Sequence, residues 1–100
     1  MRRPDRREPC LVIGVVARLV NMHPQTLRYY EKLGLIQPSR TDGRIRLFSM
    51  QDVERLHKIQ QLQDDGVNPA GIKKILELSD RIEELEAELD ELRKKVPSAL

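Results

Sequence analysis

Large rings are scarce in this 100-residue chain: aromatics make up 3% of it, tryptophan is absent, and only Tyr29, Tyr30 and Phe48 remain. That scarcity excludes an aromatic stacking platform for single-stranded nucleic acid and leaves the core to Leu, Ile and Val. Cysteine is missing except for Cys10, which excludes an internal disulfide, and with His23 and His57 as the two histidines no Cys/His set of zinc spacing exists. A reduced, intracellular setting is the expectation. No apolar run approaches the roughly 20 residues that cross a bilayer, and the Arg-rich start lacks an uninterrupted signal-peptide core. The expected location is therefore cytoplasmic, with no membrane partner. Nor is there a glycine-rich phosphate loop, a nucleophile and base pair, or a metal cluster, so neither an enzyme nor a cofactor is expected.

Charge is present, and it is unevenly placed. Residues 1–50 hold ten Arg and Lys against four Asp and Glu, a balance of +6, whereas residues 51–100 hold eight against twelve, a balance of −4. A positive half neutralises phosphates and gains affinity by releasing counterions; a negative half is repelled by the same backbone. Any nucleic-acid face belongs to the first half. At 100 residues the chain supports one modest core with an appendage.

The organisation follows from punctuation and periodicity. Residues 1–9 carry four Arg and two Pro with nothing to bury, and are expected to form a disordered arm. Cys10 to Ile13 reads as a small strand, and Val15 to Val20 as a short helix. Pro24 suits the first position of a second helix running to Leu33 and ended by Gly34. Two short helices around a tight turn, with Leu27 and Tyr30 facing inward, form a helix-turn-helix. The Asp42-Gly43 pair then signals a hairpin turn, after which charged and apolar residues alternate. Ile45 and Leu47 are expected on one face of that hairpin, Arg44 and Arg46 on the other.

Ser49 caps a third helix through Val53, Leu56, Ile59 and Leu62, broken at Asp64-Asp65-Gly66. Asn68-Pro69 opens another that carries Ile72, Ile75 and Leu76. Beyond it Ile75, Leu78, Ile82, Leu85, Leu89, Leu92 and Val96 are spaced by 3, 4, 3, 4, 3 and 4 residues, the repeat of a coiled coil. Pro97 stops it. An exposed helix with one apolar seam is expected to dimerise through Leu78, Ile82, Leu85, Leu89, Leu92 and Val96, although the charges fit a parallel and an antiparallel pair alike. The domain reading is an arm over 1–9, a winged-helix DNA-binding domain over 10–77, a coiled-coil dimerisation helix over 78–96 and a tail over 97–100.

In a helix-turn-helix the second helix enters the major groove with its early residues at the base edges. Those residues are Gln25, Thr26, Arg28 and Tyr29: Gln pairs with adenine, Arg with guanine or phosphate, and the Thr methyl meets a thymine methyl. Arg40, Arg44 and Arg46 follow where a wing grips flanking phosphates. His57 reads as a surface residue and His23 as a helix cap.

Three stretches in order resemble the MerR regulators: Thr26-Leu27-Arg28-Tyr29-Tyr30-Glu31, Gly34-Leu35-Ile36-Gln37-Pro38, and Gly43-Arg44-Ile45-Arg46-Leu47-Phe48-Ser49. His23-Pro24-Gln25-Thr26 and the run from Asp65 to Lys73 are most similar to the heat-shock repressor branch. Phe48 departs from the Tyr usual in such wings and removes a hydroxyl. The resemblance implies a mainly α, winged helix-turn-helix protein with a dimerising coiled-coil helix, antiparallel in its pairing. It also implies a homodimeric repressor of chaperone genes on an inverted repeat of double-stranded DNA, with a DnaK-type chaperone as co-repressor. A MerR-type activator, or a regulator with another effector, is the alternative within the family. A metal sensor would need thiolates near the long helix, and a drug sensor would need a further domain; neither is expected. A coiled-coil adaptor is the alternative from another class, separable by salt-dependent retention on DNA.

Overall fold

The computed structural model describes residues 5–96, and the element order is four helices with a small hairpin between the second and third. The expected tail over 97–100, like residues 1–4 of the arm, lies outside the described residues.

Helix α1 spans Ile13–Val20 and buries Val16, Ala17 and Val20. It starts two residues earlier than its apolar spacing indicates, because Val12 is extended and its carbonyl accepts from Val15 and Val16 N–H. The strand expected over Cys10–Ile13 thus shrinks to one antiparallel bridge, Leu11 with Phe48. Asn21 ends α1 in the left-handed conformation, its N–H returning to the Ala17 and Arg18 carbonyls. Helix α2, Pro24–Lys32, then begins with Pro24 in its first turn and the His23 ring accepting from Gln25 N–H at 3.0 Å. His23 is a cap, as its position predicts.

Strands β1 (Ser39–Arg40) and β2 (Arg46–Leu47) form the antiparallel hairpin, with Ser39 opposite Leu47 and Arg40 opposite Arg46. Two details differ from expectation. Ile45 is 58% exposed rather than packed beside Leu47, and Arg44 belongs to the turn rather than to a strand face. Both follow from the turn geometry. Arg44 N–H bonds back to the Thr41 carbonyl at 2.8 Å, and the left-handed residue is Arg44 (φ 63°) rather than Gly43. The strand phase therefore begins only at Arg46.

Helix α3, Met50–Asp64, lays Val53, Leu56 and Ile59 into the core. Helix α4 runs unbroken from Pro69 to Lys95, and its first turns bury Ile72 and Leu76. Sequence divides this region at residue 77, but the backbone has no break there; only burial changes. The Asn68 side chain caps α4 by accepting from Gly71 N–H at 2.8 Å. A Cβ on Gly71 would lie 2.9 Å from Val67 Cγ1 and 3.1 Å from that same Asn68 oxygen, which is why glycine follows the cap.

One apolar cluster collects residues from all four helices together with Leu35, Ile36 and Phe48 from the connections. The arm enters this framework differently from expectation. Residues 5–9 are not free: Arg6 Nε pairs with Glu54 at 2.8 Å, and Gln51 N–H donates to the Arg6 carbonyl at 2.7 Å. The N–H groups of the first turn of α3 lack intrahelical acceptors, and the passing arm supplies one.

Tyr30 is buried, and its hydroxyl donates to Gln63 Oε1 at 2.6 Å. Burial pushes its phenol above the usual tyrosine range, and the nearby Asp64 carboxylate and Tyr29 push in the same direction. Because the folded state holds this proton more tightly than the unfolded chain, the contribution is complete below about pH 10 and fades as pH rises through the folded value. Tyr30→Phe is expected to flatten that alkaline fall in stability. Urea unfolding at a series of pH values between neutral and alkaline checks it.

Candidate nucleic-acid interface

The outer face of α2 is built by the inward pull of its other side. Leu27 and Tyr30 are buried, so helical spacing turns Gln25, Arg28 and Tyr29 to solvent, with Thr26 half-buried at the edge. Arg28 is already oriented in the free protein, since its Nη1 donates to Gln25 Oε1 at 2.8 Å. The four residues expected at base edges thus share the early part of one helix. Arg18 in the last turn of α1 and Lys32 in the last turn of α2 are exposed as well.

The wing arginines are placed less uniformly. Arg44 is exposed at the turn. Arg46 Nε donates to Glu31 Oε1 at 2.7 Å, and Arg40 Nη2 donates to both Glu31 oxygens at 3.1 and 3.3 Å. Arg40 Nη1 also reaches the Arg44 carbonyl at 3.2 Å. Arg40 and Arg46, expected from sequence to grip phosphates, are therefore both engaged with a carboxylate on α2.

Glu31 is the residue that sequence reasoning passed over. Between residues 10 and 50 the acids are Glu31 and Asp42, and Glu31 lies within the helix that carries the groove-facing residues. An isolated acid in a basic surface was the available signal. Its partners stand 9 and 15 residues later, a separation that helical pairing rules do not cover.

The wing joins α3 through Ser49. Its hydroxyl accepts from Asp52 N–H at 3.1 Å while Asp52 Oδ2 accepts from Ser49 N–H at 2.9 Å, a reciprocal capping box. Phe48 beside it is 1% exposed, so here the ring serves as core. The absent tyrosine hydroxyl is no loss to that packing. Arg55, from the second turn of α3, donates to the Leu35 carbonyl at 2.7 Å and to Asp80 at 2.9 Å, linking the exit of α2 to the long helix. Among the described residues no group of three or more His, Cys, Asp or Glu could hold a metal ion, and no helix is long and apolar enough to cross a membrane.

Residues 11–79 match the family described as MerR HTH family regulatory protein. The chain belongs to the MerR HTH family. The matched residues run from the Leu11 bridge into α4, so they cover the helix-turn-helix, wing and α3 together. A Streptomyces coelicolor protein provisionally named heat shock protein HspR is 53% identical over 85 residues, covering 84% of this chain and 56% of its own. The HTH-type transcriptional regulator GlnR of Bacillus anthracis is 43% identical over 76 residues, covering 76% of this chain and 59% of its own. The chain thus spans little more than half the length of these curated relatives.

Solved MerR structures share the architecture. A MerR family regulator lacking the sensor domain, bound to promoter DNA, superposes with a TM-score of 0.65 at 25% identity, covering 85% of this chain and 76% of that one. A lead(II)-bound transcription regulator from Ralstonia metallidurans gives 0.69 at 28% identity, covering 85% and 73%. The curated relatives named here are transcription regulators, and what this chain shares with them is the MerR HTH region.

Ser49→Ala is expected to cost about 1 kcal/mol through loss of the cap, with Ser49→Thr retaining most of it. Denaturant midpoints of the two variants at constant m-value check the assignment.

Proposed function

We propose that this MerR protein is a homodimeric repressor of heat-shock and chaperone genes that binds an inverted repeat in double-stranded DNA. The observation that carries the DNA-binding reading is the outer side of α2, where Gln25, Arg28 and Tyr29 are exposed and Thr26 is half-buried, together with a wing that Arg40 and Arg46 tie to α2 through Glu31 and that leaves Arg44 exposed at its turn. Gln25 and Arg28 reach base edges, Thr26 and Tyr29 fill the groove edge or touch the backbone, and Arg44 meets phosphate. Arg40 and Arg46 lie at the inner side of the same wing. The likeness to HspR supports the heat-shock assignment.

Dimerisation follows from what α4 leaves in water. Leu78, Ile82, Leu85, Leu89, Leu92 and Val96 form one seam and are all exposed, from 46% at Leu85 to 66% at Val96. Each such side chain is worth about 1.5 to 3 kcal/mol when fully buried, so a second copy of the seam is the natural cover. A twofold dimer places two α2 helices on half-sites separated by whole turns of DNA. The family resemblance favours antiparallel pairing. A DnaK-type chaperone is the proposed co-repressor: a partner that binds the DNA-competent dimer better than other forms strengthens repression, and its diversion to unfolded proteins relieves it.

Arg28→Ala is expected to weaken the preferred duplex by about 1 to 3 kcal/mol while leaving random duplex binding little changed. Equal loss on both duplexes removes Arg28 from base reading. Replacing both Leu85 and Leu89 by Lys is expected to give a monomer with little affinity for the inverted repeat; sedimentation showing an intact dimer would move the interface elsewhere. Operator binding measured with and without the chaperone across a temperature series tests the co-repressor, and no response to either rejects it.

A further inference from the structure

We propose that Glu31 is a positioning residue for DNA recognition: it clasps Arg40 and Arg46 so that Arg46 anchors the wing instead of contacting phosphate. The proposal rests on the DNA-binding reading above and assigns a distinct role within it.

The wing needs such an anchor because its own structure is slight. Each strand contributes two residues, and a two-stranded hairpin of that size does not hold an orientation by itself. Its base is fixed by the Leu11 bridge to Phe48 and by burial of Phe48. Beyond Leu47 the apolar anchoring ends: Ile45 points to solvent and Arg44 is held in a left-handed turn. The angle between wing tip and α2 is then left to polar contacts, and the contacts present converge on Glu31. One carboxylate oxygen takes Arg46 at 2.7 Å and both take Arg40, which in turn holds the Arg44 carbonyl at 3.2 Å. A path of ion pairs and hydrogen bonds thus runs from α2 through Glu31 and Arg40 to the residue at the wing tip.

The electrostatics agree. A bare carboxylate on a groove-facing helix repels phosphate, but two guanidinium groups leave this cluster with a balance of +1. Glu31 and Arg46 side chains are only 21% and 26% exposed, against 43% for Arg40. For Arg46 to turn to a phosphate, a largely covered Glu31 would lose its shortest ion pair, so the clasp and the phosphate compete for the same group. Arg44, exposed and outside the clasp, stays available to DNA.

The experiment compares wild type, Glu31→Gln, Arg46→Met and the double variant on two duplexes: an inverted repeat selected by wild-type protein from a random library, and its scrambled counterpart. With the clasp, Glu31→Gln lowers affinity for the selected duplex roughly tenfold while scrambled affinity holds or rises. Two arginines released from the carboxylate also steepen the log–log salt dependence by about one to two units. Adding Arg46→Met to Glu31→Gln then brings little further specific loss. Loss of folding alone would instead lower both duplexes together with the melting temperature and leave the slope unchanged, which overturns the role. So would an Arg46→Met variant that flattens the slope by about one in both backgrounds, since Arg46 would then sit on phosphate. A readout without DNA separates the layers: the Arg46 side-chain Nε–H should be protected from exchange in wild type and lose that protection in Glu31→Gln. Fast exchange in wild type sinks the clasp alone. A wild-type protein that selects no duplex sinks the DNA-binding reading, and this role with it.

Discussion

Helix α3 is the wall on which α1 and the start of α4 lean, and α2 is carried on α1 in turn. Val53, Leu56 and Ile59 occupy one stripe of it, with Leu56 and Ile59 fully buried, and both α1 and α4 pack against this helix. The stripe is also reached by the connections: Leu35 and Ile36 after α2, and Phe48 before α3, belong to the same cluster. In a core with one buried Phe and one buried Tyr, position depends on branched aliphatic side chains that interdigitate closely. Removing such a contact loosens the helix-turn-helix and the long helix together, because neither has a core of its own.

Where the aliphatic packing stops, ionic and hydrogen-bonded contacts take over the geometry. The inner wing is fixed by Phe48, the outer wing by Glu31 and two arginines, and the joint with α3 by the Ser49 box. Arg55 does the same for the exit of α2 and the side of α4. Ion pairs at a protein surface contribute little to global stability, typically about 0.2 to 1 kcal/mol where they are well exposed. Their value lies in direction: they set angles between elements whose existence the apolar core already guarantees.

Much of this was legible from residue types because local chemistry at helix ends is short-range. His23-Pro24, Ser49 and Asn68-Pro69 mark the three later helix starts correctly, since each cap acts within a few residues. The 3-and-4 spacing from Ile75 to Val96 likewise follows one helix face, and burial falls away along it as an appended coiled-coil segment requires. The outer residues of α2 fell on one face because Leu27 and Tyr30 fix its inward side. The wing was read less well. Alternation of charged and apolar residues assumes that strand phase begins at Arg44, whereas the left-handed turn delays it to Arg46 and sends Ile45 outward. The engagement of Arg40 and Arg46 was hidden for a different reason: it depends on Glu31 in a separate element, and no periodicity within one element reports it. The order in residues 5–9 was hidden likewise, because Arg6 finds its partner 48 residues away at Glu54.

The uninterrupted course of α4 gives its length a rotational meaning. Ile72 and Leu76 dock one end in the core, and the seam from Leu78 onward is carried on the same rigid cylinder. Each residue of an α-helix advances about 1.5 Å and turns by about 100°. Inserting one residue after Leu76 would therefore swing the whole apolar edge about a quarter turn relative to the face that holds α2, with every side chain otherwise intact. Seven inserted residues would restore the phase and merely lengthen the rod. The helix behaves as a dial as well as a spacer, because an insertion changes angle and length together and a whole heptad leaves the angle nearly as it was.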